Sequence, residues 1–145
     1  MSVIYTELTK KAMCVAYNAH RNQVDGGGVP AVFHPLHVAE QMADEIETAA
    51  ALLHDVVEDT AMTLEDLGRA GFPPAVLEAV RLLTRDRSLP YPAYIRALKA
   101  NPTARRVKIA ELLHNSDRTR LAALDSRAIA RLDRCAEGLR LLEED

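Results

Sequence analysis

The chain carries helix-start residues at short intervals along its length, and these cut it into short helical lengths. Thr6 precedes ELTKKAMCVAYNA, where Leu8, Ala12, Val15 and Ala19 recur along one face as far as about His20, the pattern of an amphipathic helix behind an N-cap hydroxyl. Pro35, a good first helical residue, opens a second helix running to about Asp44, with His34 at its entrance. Thr48 is placed to cap a third. Thr63 followed by Asp66 reads as a capping box for a fourth helix ending near Gly71, and Pro73 and Pro74 restart the chain into VLEAVRLLT, whose apolar residues stand three and four apart. Pro90 and Pro92 introduce AYIRALKA, Asn101 and Pro102 precede a long pattern through RVKIAELLHNSDRTRLAAL, and Asp125 and Ser126 lead into a last helix carrying Leu132, Leu139 and Leu142.

No segment alternates as a strand would, and nothing repeats or divides the chain. The expectation is an all-α bundle of about seven or eight helices, one domain over residues 1–145, with short loops joining neighbouring helices. Aromatics are 4% and Trp is absent, so the interior should be aliphatic. A net charge of -3 gives no general attraction to nucleic acid or to an anionic membrane, and any anionic ligand must be held by local basic groups. The first residues, MSVIYTELTKKAM, lack the apolar run of a signal peptide, and no window of about 18 uncharged apolar residues is available to span a bilayer. A cytoplasmic protein is expected. Cys14 and Cys135 form no CxxC pair and are read as small core-filling residues. The loop VDGGGVP, with Gly26 to Gly28, is read as a flexible surface turn that also permits close approach to a ligand.

The chemistry concentrates in ALLHDVVEDT, residues 51 to 60. Taking about 100° per residue and His54 as zero, Glu58 falls near 40°, Asp55 near 100° and Asp59 near 140°, so all four share one side of a continuous helix. Leu52, Leu53, Val56 and Val57 occupy the other side. A solvated helix face usually mixes Lys or Arg among its acids, and this segment has neither. A metal cation gives three crowded carboxylates and an imidazole a reason to stay together. In KIAELLHNSDR, Glu111, His114, Asn115 and Arg118 are spaced i, i+3, i+4 and i+7 and line one stripe that could face the first.

FHPLHVA with His34, ALLHDVVEDT with His54 and Asp55, AHRNQ and the segment KIAELLHN together resemble the HD-domain metal-dependent phosphohydrolases. Within them the chain is similar to the hydrolase domain of the RelA/SpoT type and its small stand-alone relatives, from about residue 5 to 120. The resemblance implies that His34, His54, Asp55 and Glu111 bind one divalent ion, typically Mn²⁺, and that Glu58 and Asp59 act on the nucleophilic water and the phosphate. It further implies that Asn115 contacts the nucleotide, that Arg21 lies against the base, and that the reaction removes the 3′-pyrophosphate of a (p)ppGpp-like substrate. Lys108, Arg118 and Arg120 are then candidates to neutralise phosphate charge. The chain departs from the family in carrying KIAE where KLAD is usual, so that Glu111 presents the same charge on one more methylene. Ala31 stands where Tyr is common, and the glycine loop lacks a basic residue that relatives carry.

Other readings remain open at this level. A phosphatase or nucleotidase acting on NADPH or a nucleoside monophosphate would use the same ion, and a nucleotide-sensing module would use the pocket without turnover. His20 and His37 are read as structural or surface residues. His114 divides evenly between a contact to the ligand Glu111 or to the nucleotide and a solvated surface role, and Asp117 is read as pairing with Lys or Arg on its own helix. Oligomeric state has no signature in the sequence.

Overall fold

In the computed structural model, which describes residues 2–144, the chain forms nine α-helices and one 3-10 turn. They are α1 (Glu7–Ala19), α2 (Phe33–Ala39), α3 (Glu45–Leu53), α4 (Val56–Asp59), α5 (Leu64–Arg69), α6 (Pro74–Leu83), α7 (Tyr91–Lys99), α8 (Pro102–Asn115) and α9 (Ser126–Glu143), with the 3-10 turn at Arg118–Arg120 between the last two. Among the described residues there is no strand, only one isolated bridge between Val24 and Pro30, and no helix is long and apolar enough to cross a membrane.

The starts expected from the sequence largely hold because each supplies a partner for exposed helix N–H groups. Thr6 and Thr9 form a reciprocal capping box, as do Thr63 and Asp66. Asn101 and Asp125 each accept a backbone N–H from the third residue beyond them. At the third helix the expectation fails: Asp44, not Thr48, accepts from Glu47 N, while the Thr48 hydroxyl is buried and donates to the Asp44 carbonyl at 2.7 Å. An aspartate one turn earlier outcompetes the threonine because it offers a charged acceptor to the helix N-terminus. The second helix also ends early, at Ala39 rather than near Asp44.

α3 is the central helix, packed against α1, α2, α6 and α8. Its residues Ala49, Ala50 and Ala51 are fully buried. Three successive small side chains let four neighbours come close, and the aliphatic residues around them, Val38, Leu53, Val80, Ile95 and Val107, fill the remaining space. α9 closes the bundle against α7 and α8. Cys135 is buried there as expected, but Cys14 is exposed, since it lies off the α1 face that carries the buried Ala12 and Ala16.

The glycine loop is a closed turn. Asp25 Oδ1 accepts the N–H groups of Gly27 at 2.8 Å and Val29 at 3.0 Å, and Gly28 takes φ +84°, a conformation open to glycine at little cost. A Cβ at Gly27 would stand 2.3 Å from the Arg120 carbonyl oxygen. The glycine therefore serves close packing of the loop on the backbone beside the candidate site.

Candidate functional site

The continuous helix expected through the central motif breaks at its centre. α3 ends at Leu53, His54 and Asp55 form a turn, and α4 restarts at Val56. The wheel drawn through all four polar residues therefore gives the wrong relation between His54 and Asp55. The break turns them toward each other: His54 Nε2 lies 3.2 Å from Asp55 Oδ2. From α2, His34 Nε2 reaches within 3.8 Å of the same oxygen, and from α8, Glu111 Oε2 comes within 3.9 Å of His54 Nε2. Two helices and one turn thus bring four donor groups together. One atom each from His34, His54 and Glu111 lie within 4.8 Å of one another. Donors about 2.1 Å from a shared ion stand about 3 to 3.5 Å apart at neighbouring positions, so the Asp55–His54 approach already has that spacing and the His34–Asp55 and His54–Glu111 approaches need contractions of under about 1 Å.

Chemistry as well as spacing fits a cation. His54 is almost fully buried, and its Nδ1 donates to the Ala51 carbonyl at 2.5 Å, which turns Nε2 into the cluster; that atom has no hydrogen-bond partner of good geometry. Burial by itself disfavours an imidazolium, yet Asp55 first and then Glu111 and the Ala51 carbonyl outweigh it and push His54 up to about 9. The cluster therefore holds a positive charge at Nε2, a proton in the ion-free chain, at the point where a divalent ion would bind instead. Burial also acts on Asp55, but His54, His34 and Lys108 hold its carboxyl well below the usual range. His34 goes the other way: burial first, then the charge of His54, pull it down to about 2, leaving the neutral ring a metal ligand needs.

Behind His34 stands a second imidazole. His34 Nδ1 lies 2.7 Å from His114 Nδ1, the two rings are stacked at 5.0 Å, and His37 also stacks on His114, at 4.2 Å. Burial, then Arg120 and His37, pull His114 down to about 4. With both rings neutral, one of them donates the proton of this contact, and the tautomer in which His34 Nδ1 is the donor to His114 is the one that frees His34 Nε2 for a cation. His114 to Phe should keep the stacking and remove this acceptor, lowering ion affinity by about 10–100-fold. Calorimetric titration with Mn²⁺ checks this, and an unchanged affinity would assign His114 to packing alone.

Lys108 is buried and sits 3.1 Å from Glu111 Oε2 and 3.2 Å from the Tyr94 hydroxyl. Burial opposes its charge, but Glu111 and Tyr94 more than compensate and hold it protonated. Tyr94 in turn donates to the Leu83 carbonyl at 2.5 Å. Tyr94 to Phe strands both the carbonyl and one ammonium hydrogen in the interior, a loss of about 1–3 kcal/mol that chemical denaturation should register.

The other candidate residues divide. Glu58 and Asp59 are exposed at the edge of the cluster. Glu58 Oε1 accepts the Arg85 N–H at 2.7 Å, and the Asp59 carbonyl accepts from the Gln23 amide at 2.8 Å. Partial burial first, then Asp55 and Glu58, raise the Asp59 pKa above its ordinary value. Asn115 lines the cleft and accepts from Arg120 at 3.2 Å. Arg21 and Arg118 are exposed and line no part of it. α8 stops at Asn115, so the i+7 spacing that put Arg118 on the Glu111 stripe no longer applies, and Arg120 takes the position facing the cleft, 3.5 Å from Asp25. Arg21 is held instead by Asn18 at 2.8 Å, over the Tyr17 ring. Asp117 does not pair along a helix; it accepts the N–H and hydroxyl of Thr119 and so caps the 3-10 turn.

The sequence reading passed over Gln23, which links buried His20, at 2.8 Å, to the Asp59 backbone. The segment AHRNQ contains both residues, but only the fold shows what they hold. It also passed over Arg131, which sits where two lobes of one cleft meet. One lobe, of about 490 Å³, runs past Asp25, Gly26, Ala31, His34 and Asp59. The other, of about 220 Å³, runs past Glu58, Lys108 and Glu111, and both include Asp55, Asn115 and Arg131. A larger concavity, about 980 Å³, is a groove between α2 and α8 on which His37, Arg106 and Leu113 open. Size does not make it the reaction site, because it contains neither the carboxylates nor His54.

Residues 12–112 match the family described as HD domain. Over 128 residues, 79% of this chain and 71% of the other, the chain is 35% identical to the guanosine-3′,5′-bis(diphosphate) 3′-pyrophosphohydrolase MESH1 of Danio rerio. It is 42% identical over 78 residues to a guanosine-3′,5′-bis(diphosphate) 3′-pyrophosphohydrolase of Vibrio cholerae; that match spans 51% of this chain but only 11% of the longer bacterial protein. The fold is similar to the solved structure of a metazoan ortholog of SpoT described as hydrolysing ppGpp, with a TM-score of 0.79, 26% identity, and coverage of 98% of this chain and 89% of that one.

Proposed function

The chain belongs to the HD-domain family, and from that premise we propose that it is a metal-dependent 3′-pyrophosphohydrolase of (p)ppGpp-like guanosine nucleotides. The observation that carries this reading is the clustering of His34, His54, Asp55 and Glu111, with Asp59 in the wall of the larger lobe beside it and Glu58 in the wall of the smaller. The similarity to MESH1, which runs through most of both chains, supports the same substrate class.

In this reading His34, His54, Asp55 and Glu111 hold one divalent ion, for which Mn²⁺ is our choice. The extra methylene of Glu111 is accommodated by the 3.1 Å contact to Lys108, which fixes the longer side chain. When bound, the ion lowers the pKa of a water and draws charge from a phosphoryl oxygen. The chain's own residues do the rest. The 490 Å³ lobe is of a size to take the nucleoside, with Asn115 and Arg120 at its wall. Asp59, with its raised proton affinity, and Glu58, fixed by the Arg85 N–H, orient the water and accept its proton as its oxygen bonds to the phosphorus on the 3′ oxygen. The bond from that phosphorus to the 3′ oxygen breaks, the 3′ oxygen takes a proton, and pyrophosphate leaves with the oxygen of the water.

Incubating the protein with Mn²⁺ and a panel of ppGpp, NADPH and nucleoside monophosphates, with products resolved by chromatography, tests the reading. The expected result is guanosine diphosphate and pyrophosphate from ppGpp. Release of phosphate from NADPH or a monophosphate with ppGpp untouched would assign a different nucleotidase, and tight binding of ppGpp without product would assign a sensor.

A further inference from the structure

α4 carries Glu58 and Asp59 but is a single turn, Val56–Asp59, with no side-chain cap at its start. A helix this short does not hold itself, and the carbonyls of its last residues need partners from outside it. Glu58 is held by the Arg85 N–H. At Asp59 the outside partner is the side chain of Gln23, whose Nε2 donates to the Asp59 carbonyl at 2.8 Å. Gln23 stands in the wall of the larger lobe, and its own backbone is anchored. Its N–H donates to the His20 carbonyl at 3.0 Å, its carbonyl accepts the Ala31 N–H at 2.9 Å, and the Ala31 carbonyl accepts the His34 N–H at 3.2 Å. One residue thus ties the end of α4 to the backbone that leads into α2 at His34.

Chemistry fixes the direction of each side-chain bond. A backbone carbonyl only accepts, so the Gln23 amide turns its NH₂ group to Asp59 and its oxygen to His20 Nδ1, 2.8 Å away. That oxygen also only accepts, so His20 carries a proton on Nδ1. His20 follows the last residue of α1 and is 3% exposed, which shields its bond from competing water. Its other nitrogen, Nε2, is buried without a hydrogen-bond partner, an arrangement that costs stability. An apolar side chain would fill the same space without that cost. What the imidazole adds is one directed N–H.

We infer that His20 and Gln23 are positioning residues for the reaction: His20 sets the orientation of the Gln23 amide, and Gln23 fixes the end of α4 so that the Asp59 carboxylate faces the water beside the donor cluster. Both act through Asp59. Their part in turnover rests on the reading of the chain as a 3′-pyrophosphohydrolase; their hold on α4 does not.

The test compares wild type, His20→Asn, His20→Gln and Gln23→Met, all with Mn²⁺. Asparagine places an amide N–H where Nδ1 stands, glutamine places one only near Nε2, and methionine keeps the length of Gln23 without its polar ends. The measurements are kcat and KM on ppGpp, Mn²⁺ affinity by calorimetry, and hydrogen exchange of the Asp59 and Thr60 amides, which close the α4 turn onto Asp55 and Val56. Gln23→Met and His20→Gln should lower kcat about 10–100-fold, as expected for a group displaced by on the order of 1 Å. KM and ion affinity should stay close to wild type, and the two amides should exchange about 2- to 10-fold faster, the worth of one hydrogen bond. His20→Asn should restore both kcat and exchange. A loss of packing alone would affect asparagine and glutamine alike, so equal kcat in the two His20 variants would overturn the inference. So would an unaltered kcat in Gln23→Met, or a fall in ion affinity that accounts for the lost turnover. Should His20→Gln fail to fold, Gln23→Met, at a half-buried position, carries the same readouts. If wild type leaves ppGpp intact, the proposed reaction falls and exchange alone decides: faster exchange in Gln23→Met keeps the hold on α4, and unchanged exchange removes it.

Discussion

Asp55 to Ala should remove bound Mn²⁺ and ppGpp hydrolysis together, while far-UV circular dichroism still reports a folded helical bundle. Asp55 Oδ2 is the one oxygen close to both imidazoles, 3.2 Å from His54 Nε2 and 3.8 Å from His34 Nε2. Without it the cluster keeps Glu111 as its single carboxylate, and that group is shared with Lys108 at 3.1 Å. Loss of an outer partner of a metal ligand typically costs 10–100-fold, so loss of a ligand itself should lower ion affinity by more than about 100-fold. The fold survives for two reasons. Asp55 makes no side-chain cap to α4, and His54, deprived of the carboxylate that most raises its pKa, releases its proton rather than remain charged in the interior. Measured ion content and turnover that both match wild type would show that the four-donor cluster is not the reaction centre.

Glu58 to Gln should separate the ion from the chemistry. Glu58 is exposed and, unlike Asp55 and Glu111, forms no ion pair with His34 or His54, so the variant should bind Mn²⁺ as wild type does. Its Oε1 accepts the Arg85 N–H at 2.7 Å, a bond the glutamine carbonyl reproduces, and position is therefore kept while negative charge and basicity are lost. A correctly placed general base contributes about 10²–10⁴-fold, and kcat on ppGpp should fall within that range with KM little altered. A variant that loses the ion would make Glu58 a ligand, and one with full kcat would leave proton transfer to Asp59 alone.

Much of this site is legible in the sequence because its residue types are costly in any other role. Three acids and a histidine on an otherwise aliphatic segment, with no basic neighbour, point to a cation wherever the helix lies. His34 and Glu111 add the same chemistry at two other helices. The reading failed where it relied on regular geometry. It carried one helix through His54 and Asp55, and another through Ser116 to Leu124, because periodicity persists in a sequence whether or not the backbone turns. The turn at His54–Asp55 and the stop at Asn115 changed which side chains converge, replacing Arg118 by Arg120 and bringing His54 onto Asp55. The arginines of α9 were equally visible as letters, but nothing in their spacing along that helix shows that Arg131 and Arg134 line the cleft.

The sequence by itself determined the helical class, most helix starts and the aliphatic interior, and it brought His34, His54, Asp55 and Glu111 forward as candidate donors through their resemblance to a known family. Caps, apolar spacing and unpaired charge are local properties, and their energetic preferences act within a few residues along the chain. The tertiary structure alone decided the distances among those donors, the two-lobed cleft, the His34–His114 bond and the gathering of arginines from the α6–α7 connection and α9 along the smaller lobe. Each depends on how helices remote in sequence cross one another, and that crossing is set by close packing around Ala49, Ala50 and Ala51, a constraint on volume that no local pattern encodes.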